Sequence, residues 1–240
     1  MSEAAVVDAA ALRASLGIQT QDEVVENAFA RVLLLGPAKA GKTTTIVGTA
    51  PQPLVINCDG IGATKGAKHV YQGATFDVVD AHTRAELKKA VTTAEKMVAA
   101  GITKTVVLDT VSLLADSLLD EIKLTLSGWD VWDELDSCVM SALKRLCKLP
   151  AHLFVISHMN PAKDPTEGIM PAIGGKLKTR LPGLLDDWIL LDVENDRKPF
   201  ERAFLLGPQK TWTHSGRNVR KKNIVEATVP ALLAELGIAL

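Results

Sequence analysis

The sequence has little of what marks a secreted, membrane-spanning or strongly charged protein. It contains only three cysteines, Cys58, Cys138 and Cys147. They lack the paired spacing of a metal site, and an odd number in a Lys- and Glu-bearing chain fits a reducing compartment where they serve as small buried hydrophobes. No apolar run reaches the roughly 18 residues that a membrane span requires. The opening MSEAAVVDAA has an early Glu and no basic segment, so it does not read as a secretory signal. Charge of one sign is also missing. With 27 Lys and Arg against 28 Asp and Glu, the formal charge is −1, and any nucleic-acid contact must come from a local patch rather than from a global basic field. Internal repeats and low-complexity tracts are absent. The expectation is a soluble, cytoplasmic protein with no membrane partner.

What is present is an apolar content of 47% in 240 residues, enough for one large α/β domain and too little for two. Residues 1–29 form a leading helix and linker, and residues 30–240 the domain. Within it, RVLLLGPAKAGKTTT stands out: an apolar run breaks at Gly36, and Gly36, Pro37, Ala38, Lys39, Ala40, Gly41, Lys42 and Thr43 fit the phosphate-binding pattern G-x-x-x-x-G-K-[ST]. A triphosphate needs several backbone N–H groups aimed inward at once, and glycines at both ends let the chain curl tightly enough. Lys42 supplies an ammonium for the outer phosphates, the Thr43 hydroxyl a ligand for Mg²⁺. A helix opening at Thr43 and Thr44 adds its positive end.

Beyond the loop, short apolar runs alternate with amphipathic stretches. Strands are expected at 54–58, 76–80, 104–109, 152–157, 188–194 and 202–207, and helices at 5–16, 84–100, 112–122 and 130–148, with a last short helix capped by Thr228 and Pro230. Residues 159–175, with three prolines and three glycines, read as a long loop. The pattern predicts a mostly parallel central sheet with helices on both faces and ligand at the C-terminal strand edge. An antiparallel C-terminal edge follows from the short turn NDRKP, which cannot carry a crossover helix.

Three residues at strand ends are candidates for chemistry. Asp109 closes the buried run TVVLD, where an acid can hold Mg²⁺ directly or through water; capping the next helix is its alternative role. Asp59 ends the strand after the phosphate-loop helix, where a carboxylate can orient and deprotonate an attacking water; as half of an Asp-Gly dipeptide it is alternatively a turn residue. His158 lies at the end of HLFVIS, the strand after TVVLD, placed either to sense the γ-phosphate or simply to close the strand.

Taken in order, GPAKAGKT, INCDG, TVVLDTVSLLAD, LFVISHMN, a loop closing in GGKLK and finally GRNVRKK resemble the RecA-like P-loop ATPase core. The likeness is strongest to phage-type nucleotide-binding proteins of single-strand annealing and recombination, and spans roughly residues 30–227. The resemblance implies ATP and Mg²⁺ as cofactors, an ATPase stimulated by single-stranded DNA, and a homo-oligomer, filament or ring, with nucleotide at subunit interfaces. A single-strand-binding protein is a further implied partner, and the cytoplasm of a bacterial host the implied location for a phage-encoded chain. Asp59 stands where such proteins place a catalytic Glu, one methylene longer, which points to slow turnover. His158 matches the polar sensor before the second DNA-binding loop, with Gly174 and Gly175 as that loop's hinge. Arg217 and Arg220 match late basic residues that reach phosphates across a subunit boundary. Lys163, Lys176, Lys178 and Arg180 would contact the DNA backbone, with Met159 or Ile169 as apolar wedges. A regulatory ATP-binding module with a protein partner and a small-molecule P-loop kinase are the alternatives.

Overall fold

The computed structural model describes residues 8–18, 29–60, 64–160, 169–192, 202–206 and 223–240. Its centre is the strand β1 (Arg31–Gly36), whose continuous apolar run is buried on both faces. Beside it run β5 (His152–Asn160) and β7 (Asp187–Asp192), both parallel. β4 (Thr105–Asp109), β2 (Pro53–Asn57) and β3 (Asp77–Asp80) extend the parallel sheet on one side. On the other, β8 (Ala203–Leu206) and β9 (Asn223–Glu226) add antiparallel strands, giving the order β3-β2-β4-β5-β1-β7-β8-β9. The expected mostly parallel sheet with an antiparallel C-terminal edge is what the chain forms.

Side-chain alternation along the strands builds two cores. From β1, Leu33 and Leu35 face one, packed beneath α4 (Arg84–Ala99), α5 (Val111–Lys123), α6 (Asp130–Leu146) and α7 (Leu177–Leu184). Val32 and Leu34 face the other, covered by α2 (Lys42–Thr49), α3 (Lys65–Val70) and α8 (Val229–Leu236). Each fully buried aliphatic side chain here contributes roughly 1.5–3 kcal/mol against exposure. Arg31 fixes the entry to the sheet: its guanidinium donates to the carbonyls of Cys147 at 3.0 Å, Leu149 at 2.7 Å and Ala151 at 2.7 Å, closing the turn from α6 into β5.

Several elements depart from expectation. The leading helix α1 is Ala9–Ser15, begun by Asp8, whose carboxylate accepts from the Ala10 and Ala11 amides. Leu12 on it, and Leu16 and Ile18 just after it, are exposed. β5 runs three residues past its expected end, to Asn160, because β6 (Met170–Pro171) returns to pair with Met159 and Asn160. The residues expected as one loop therefore begin and end in a small ladder. α3, α7 and β9 have no expectation behind them: α3 and β9 are too short for a period, and α7 carries Pro182 inside it. Thr228 does cap α8, accepting from the Ala231 amide, with Pro230 in the first turn. Among the described residues, no helix is long and apolar enough to cross a membrane.

Candidate nucleotide site

The sheet register brings the candidate residues to one edge. Gly36 pairs with His158 across β1 and β5, and Asn57 with Asp109 across β2 and β4. Gly36, Asp59, Asp109 and His158 therefore share the C-terminal edge, as the strand-end reading requires.

The loop leaving β1 curls back at two glycines that no other residue can replace without cost. A Cβ on Gly36 would stand 3.2 Å from the Leu191 carbonyl oxygen, and Gly41, which precedes α2, has φ +88°. Pro37, Ala38 and Lys39 are exposed on the outer turn, whereas Ala40 is tucked into the core. A cleft of about 240 Å³ opens here. Lys39, Gly41, Lys42, Thr43 and Thr44 line one side, Asp59, Thr110 and His158 the other.

Lys42 is 4% exposed, and its Nζ donates to the carbonyls of Gly36 at 3.0 Å and Pro37 at 2.8 Å. Burial pushes its pKa down to about 8, against the opposing fields of Asp109 and Asp59. Asp109 is 0% exposed. Its Oδ2 accepts from Thr43 Oγ1 at 2.7 Å, and among the described residues its buried Oδ1 has no hydrogen-bond partner. Burial raises its pKa to about 6, the Thr43 hydrogen bond opposing. The helix-cap role falls instead to Thr110, whose side chain accepts from the Leu113 amide. A hydroxyl and an orphaned carboxylate oxygen side by side are hard oxygen donors that suit Mg²⁺.

These shifts set a pH dependence. Folded Asp109 titrates above its unfolded value, so the folded chain holds the extra proton and its stability falls as pH rises from 3.8 to about 6. Folded Lys42 titrates below its unfolded value, so stability rises with pH from about 8 to 10.5. Between these windows both groups are ionised and costly, a state that a cation beside Asp109 and an anion beside Lys42 would relieve. Affinity for Mg²⁺·ATP is expected to peak between about 6 and about 8 and to fall on either side by up to about tenfold per pH unit. Calorimetric titration across that range checks it; a flat profile contradicts it.

Asp59 is exposed and lies on a turn built by a residue that sequence reasoning missed. Buried Asn57 donates through Nδ2 to Asp80 Oδ1 at 2.7 Å and to the Gly60 carbonyl at 3.3 Å, while its Oδ1 accepts from the Asp59 amide at 3.3 Å. Asp59 is thus both turn residue and cleft wall. His158 is half-buried, its pKa lowered by burial and then by Lys42. Its amide donates to Ser112 Oγ at 3.2 Å, and Ser112 Oγ donates to Thr110 Oγ1 at 3.3 Å. The strand end carrying His158 is thereby tied to the residue after Asp109.

The DNA candidates are more scattered. Lys176 pairs with Asp133 at 2.6 Å and Arg180 with Asp136, both carboxylates on α6, while Lys178 is exposed. Gly174 and Gly175 sit against the Trp132 ring, which a Cβ on either would approach within 2.9 Å. Ile169 packs against the core rather than standing clear of it. Lys163, Arg217 and Arg220 lie outside the described residues. Trp129, just before α6, is 84% exposed, and Leu124 and Leu126 are exposed as well, an open aromatic ring that helical periodicity could not single out.

A family described as "AAA domain" matches residues 28–219. Two solved structures are similar over most of their length. A KaiC-like protein from the hyperthermophilic archaeon Pyrococcus horikoshii OT3 shares 16% identity, with 88% of this chain and 91% of that one covered at a TM-score of 0.46. The RadB recombinase shares 17% identity, with 90% and 92% covered at a TM-score of 0.50, a likeness of fold. No curated protein matches the chain at a significant level.

Proposed function

Since this chain belongs to the AAA-domain family and has a RecA-like P-loop fold, we propose that it is an Mg²⁺-dependent ATPase acting on single-stranded DNA in annealing or recombination. The observation that carries the ATPase reading is the buried Asp109 carboxylate, bonded to Thr43 through one oxygen and, among the described residues, unpartnered at the other. Thr43 and Asp109 would hold Mg²⁺, which supplies charge neutralisation to the phosphates when bound. Lys42 exchanges its two loop carbonyls for phosphate oxygens. Asp59, presented by Asn57 on the open side of the cleft, orients the attacking water and accepts its proton. His158 and Ser112 carry the state of the cleft along β5 toward the loop it enters. Arg217 and Arg220 are assigned to the nucleotide of an adjacent protomer in a homo-oligomer.

For DNA, exposed Trp129 supplies a stacking face, and Lys176, Lys178 and Arg180 supply charge nearby. The Lys176–Asp133 pair is exposed on both sides, so it is worth little and a phosphate can compete for Lys176; Arg180 is held by the buried Asp136 carboxylate and offers only its remaining donors. Trp129→Ala should weaken single-strand binding by about 1–3 kcal/mol for the base it stacks, read by fluorescence anisotropy with the apo melting temperature unchanged. Equal binding would remove Trp129 from the interface.

The deciding experiment is ATP turnover with and without single-stranded DNA, with Lys42→Ala as control. Stimulation by DNA supports the reading. Turnover only with a small phosphate acceptor replaces it with a kinase. Tight ATP binding with negligible turnover in every condition replaces it with a regulatory module, for which the short, exposed Asp59 is the favouring feature.

A further inference from the structure

The antiparallel edge brings to the phosphate loop a cation that neither the loop motif nor the Thr43–Asp109 pair uses. Arg202 immediately precedes β8, whose first residue, Ala203, pairs with Asp192 at the end of β7. β7 lies against β1, with Leu190 opposite Leu35. That register sets Arg202 at the nucleotide edge, one strand beyond the loop's own neighbour. Its side chain crosses back to Gly41: a Cβ on Gly41 would stand within 2.7 Å of Arg202 Cζ and of both its terminal nitrogens. Those three atoms lie at nearly equal distances, so the guanidinium faces the glycine. Arg202 is half-buried, and among the described residues it has no hydrogen-bond or ion-pair partner.

Among the described residues no carboxylate completes this half-buried guanidinium, and an anion would. Here it leans on the one loop whose amides and lysine are arranged for an anion. Gly41 also gains a second requirement. Besides its left-handed backbone, it must lack a side chain to leave the guanidinium room. A surface-packing role would explain the stacking but not the unused fork of donors, which matches two oxygens of a phosphate.

We propose that Arg202 is a phosphate ligand supplied in cis, its guanidinium taking two oxygens of the bound nucleotide's phosphate chain beside Gly41. This rests on the nucleotide-binding reading above. It differs from the Arg217 and Arg220 assignment because it works within one subunit.

The test is calorimetric titration of the full chain with Mg²⁺·ATP at several salt concentrations, comparing wild type, Arg202→Ala, Arg202→Lys and Lys42→Ala, each with its apo melting temperature, in protein dilute enough to be monomeric. Arg202→Ala should weaken binding by at least about tenfold and flatten the salt dependence, and Arg202→Lys, which keeps charge but loses the fork, should weaken it severalfold. Should Arg202→Ala fail to fold, Arg202→Lys decides alone. Wild-type affinity and salt slope in whichever variant decides overturn the proposal, as does a loss seen only in assembled protein, which would move the contact to a neighbouring subunit. Wild type that binds no Mg²⁺·ATP is a different result: it overturns the nucleotide reading itself.

Discussion

Asp109→Asn is expected to cut ATP turnover by on the order of 10²–10³-fold while leaving the apo fold as stable as wild type or more so. The two effects have opposite signs for one reason. Asp109 is a fully buried acid whose carboxylate is disfavoured by burial, so that its pKa stands near 6. At neutral pH the folded chain bears the cost of keeping it ionised. Asn has the same shape, can still accept from Thr43 Oγ1, and removes that cost. It also removes the charged oxygen that suits a divalent cation, and loss of metal-based charge stabilisation is worth several kcal/mol of barrier, at 1.36 kcal/mol per decade. Apo melting temperature together with steady-state turnover checks both. A variant that melts lower than wild type, or that retains Mg²⁺-dependent turnover, contradicts the role given to Asp109.

How much of this could be read from the chain alone follows from how local each feature is. The phosphate-loop motif was legible because its glycines, lysine and threonine lie within eight residues and Lys42 bonds back to Gly36 and Pro37, although Thr43 meets Asp109 from 66 residues away. The parallel strands were legible because burial on both faces leaves continuous apolar runs, and their acid and histidine ends fixed the site's edge before any coordinates. Asn57 was hidden: its function depends on Asp80, a partner 23 residues away on the next strand. Lys176 and Arg180 looked like free cations for the same reason, since Asp133 and Asp136 meet them only when α7 packs on α6. Arg202 is the extreme case. It reads as the ordinary first residue of an edge strand, and only the antiparallel return of β8 carries it back to Gly41, more than a hundred residues earlier in the chain. Contacts of that kind have no period and no motif, and they are where the site gains residues that its sequence signature does not contain.

The strand that carries His158 also carries one of the largest fully buried side chains of the core. Phe154 in β5 is 0% exposed. It pairs in register with Val32 on β1 and Val107 on β4, and all three side chains lie in the core beneath α2, α3 and α8. With a strand on each side and a helix layer above, that site has little freedom to collapse. Phe154→Ala should therefore cost about 3–5 kcal/mol, transfer and cavity terms together, against a total of roughly 5–15 kcal/mol for a domain. At this chain length that lowers the apo melting temperature by roughly 6–20 °C. The cleft is built from loop, strand-end and helix-start residues, none of them Phe154, so the molecules that remain folded should bind nucleotide normally. Mg²⁺·ATP at about 100 times its Kd would then return about 2.7 kcal/mol to the folded state, restoring much of the lost melting temperature. Thermal melts with and without Mg²⁺·ATP separate the alternatives. A loss that ligand does not reduce would mean that Phe154 shapes the nucleotide site as well as the core, and a loss near zero would mean that the β1-β5-β4 packing is looser than its register implies.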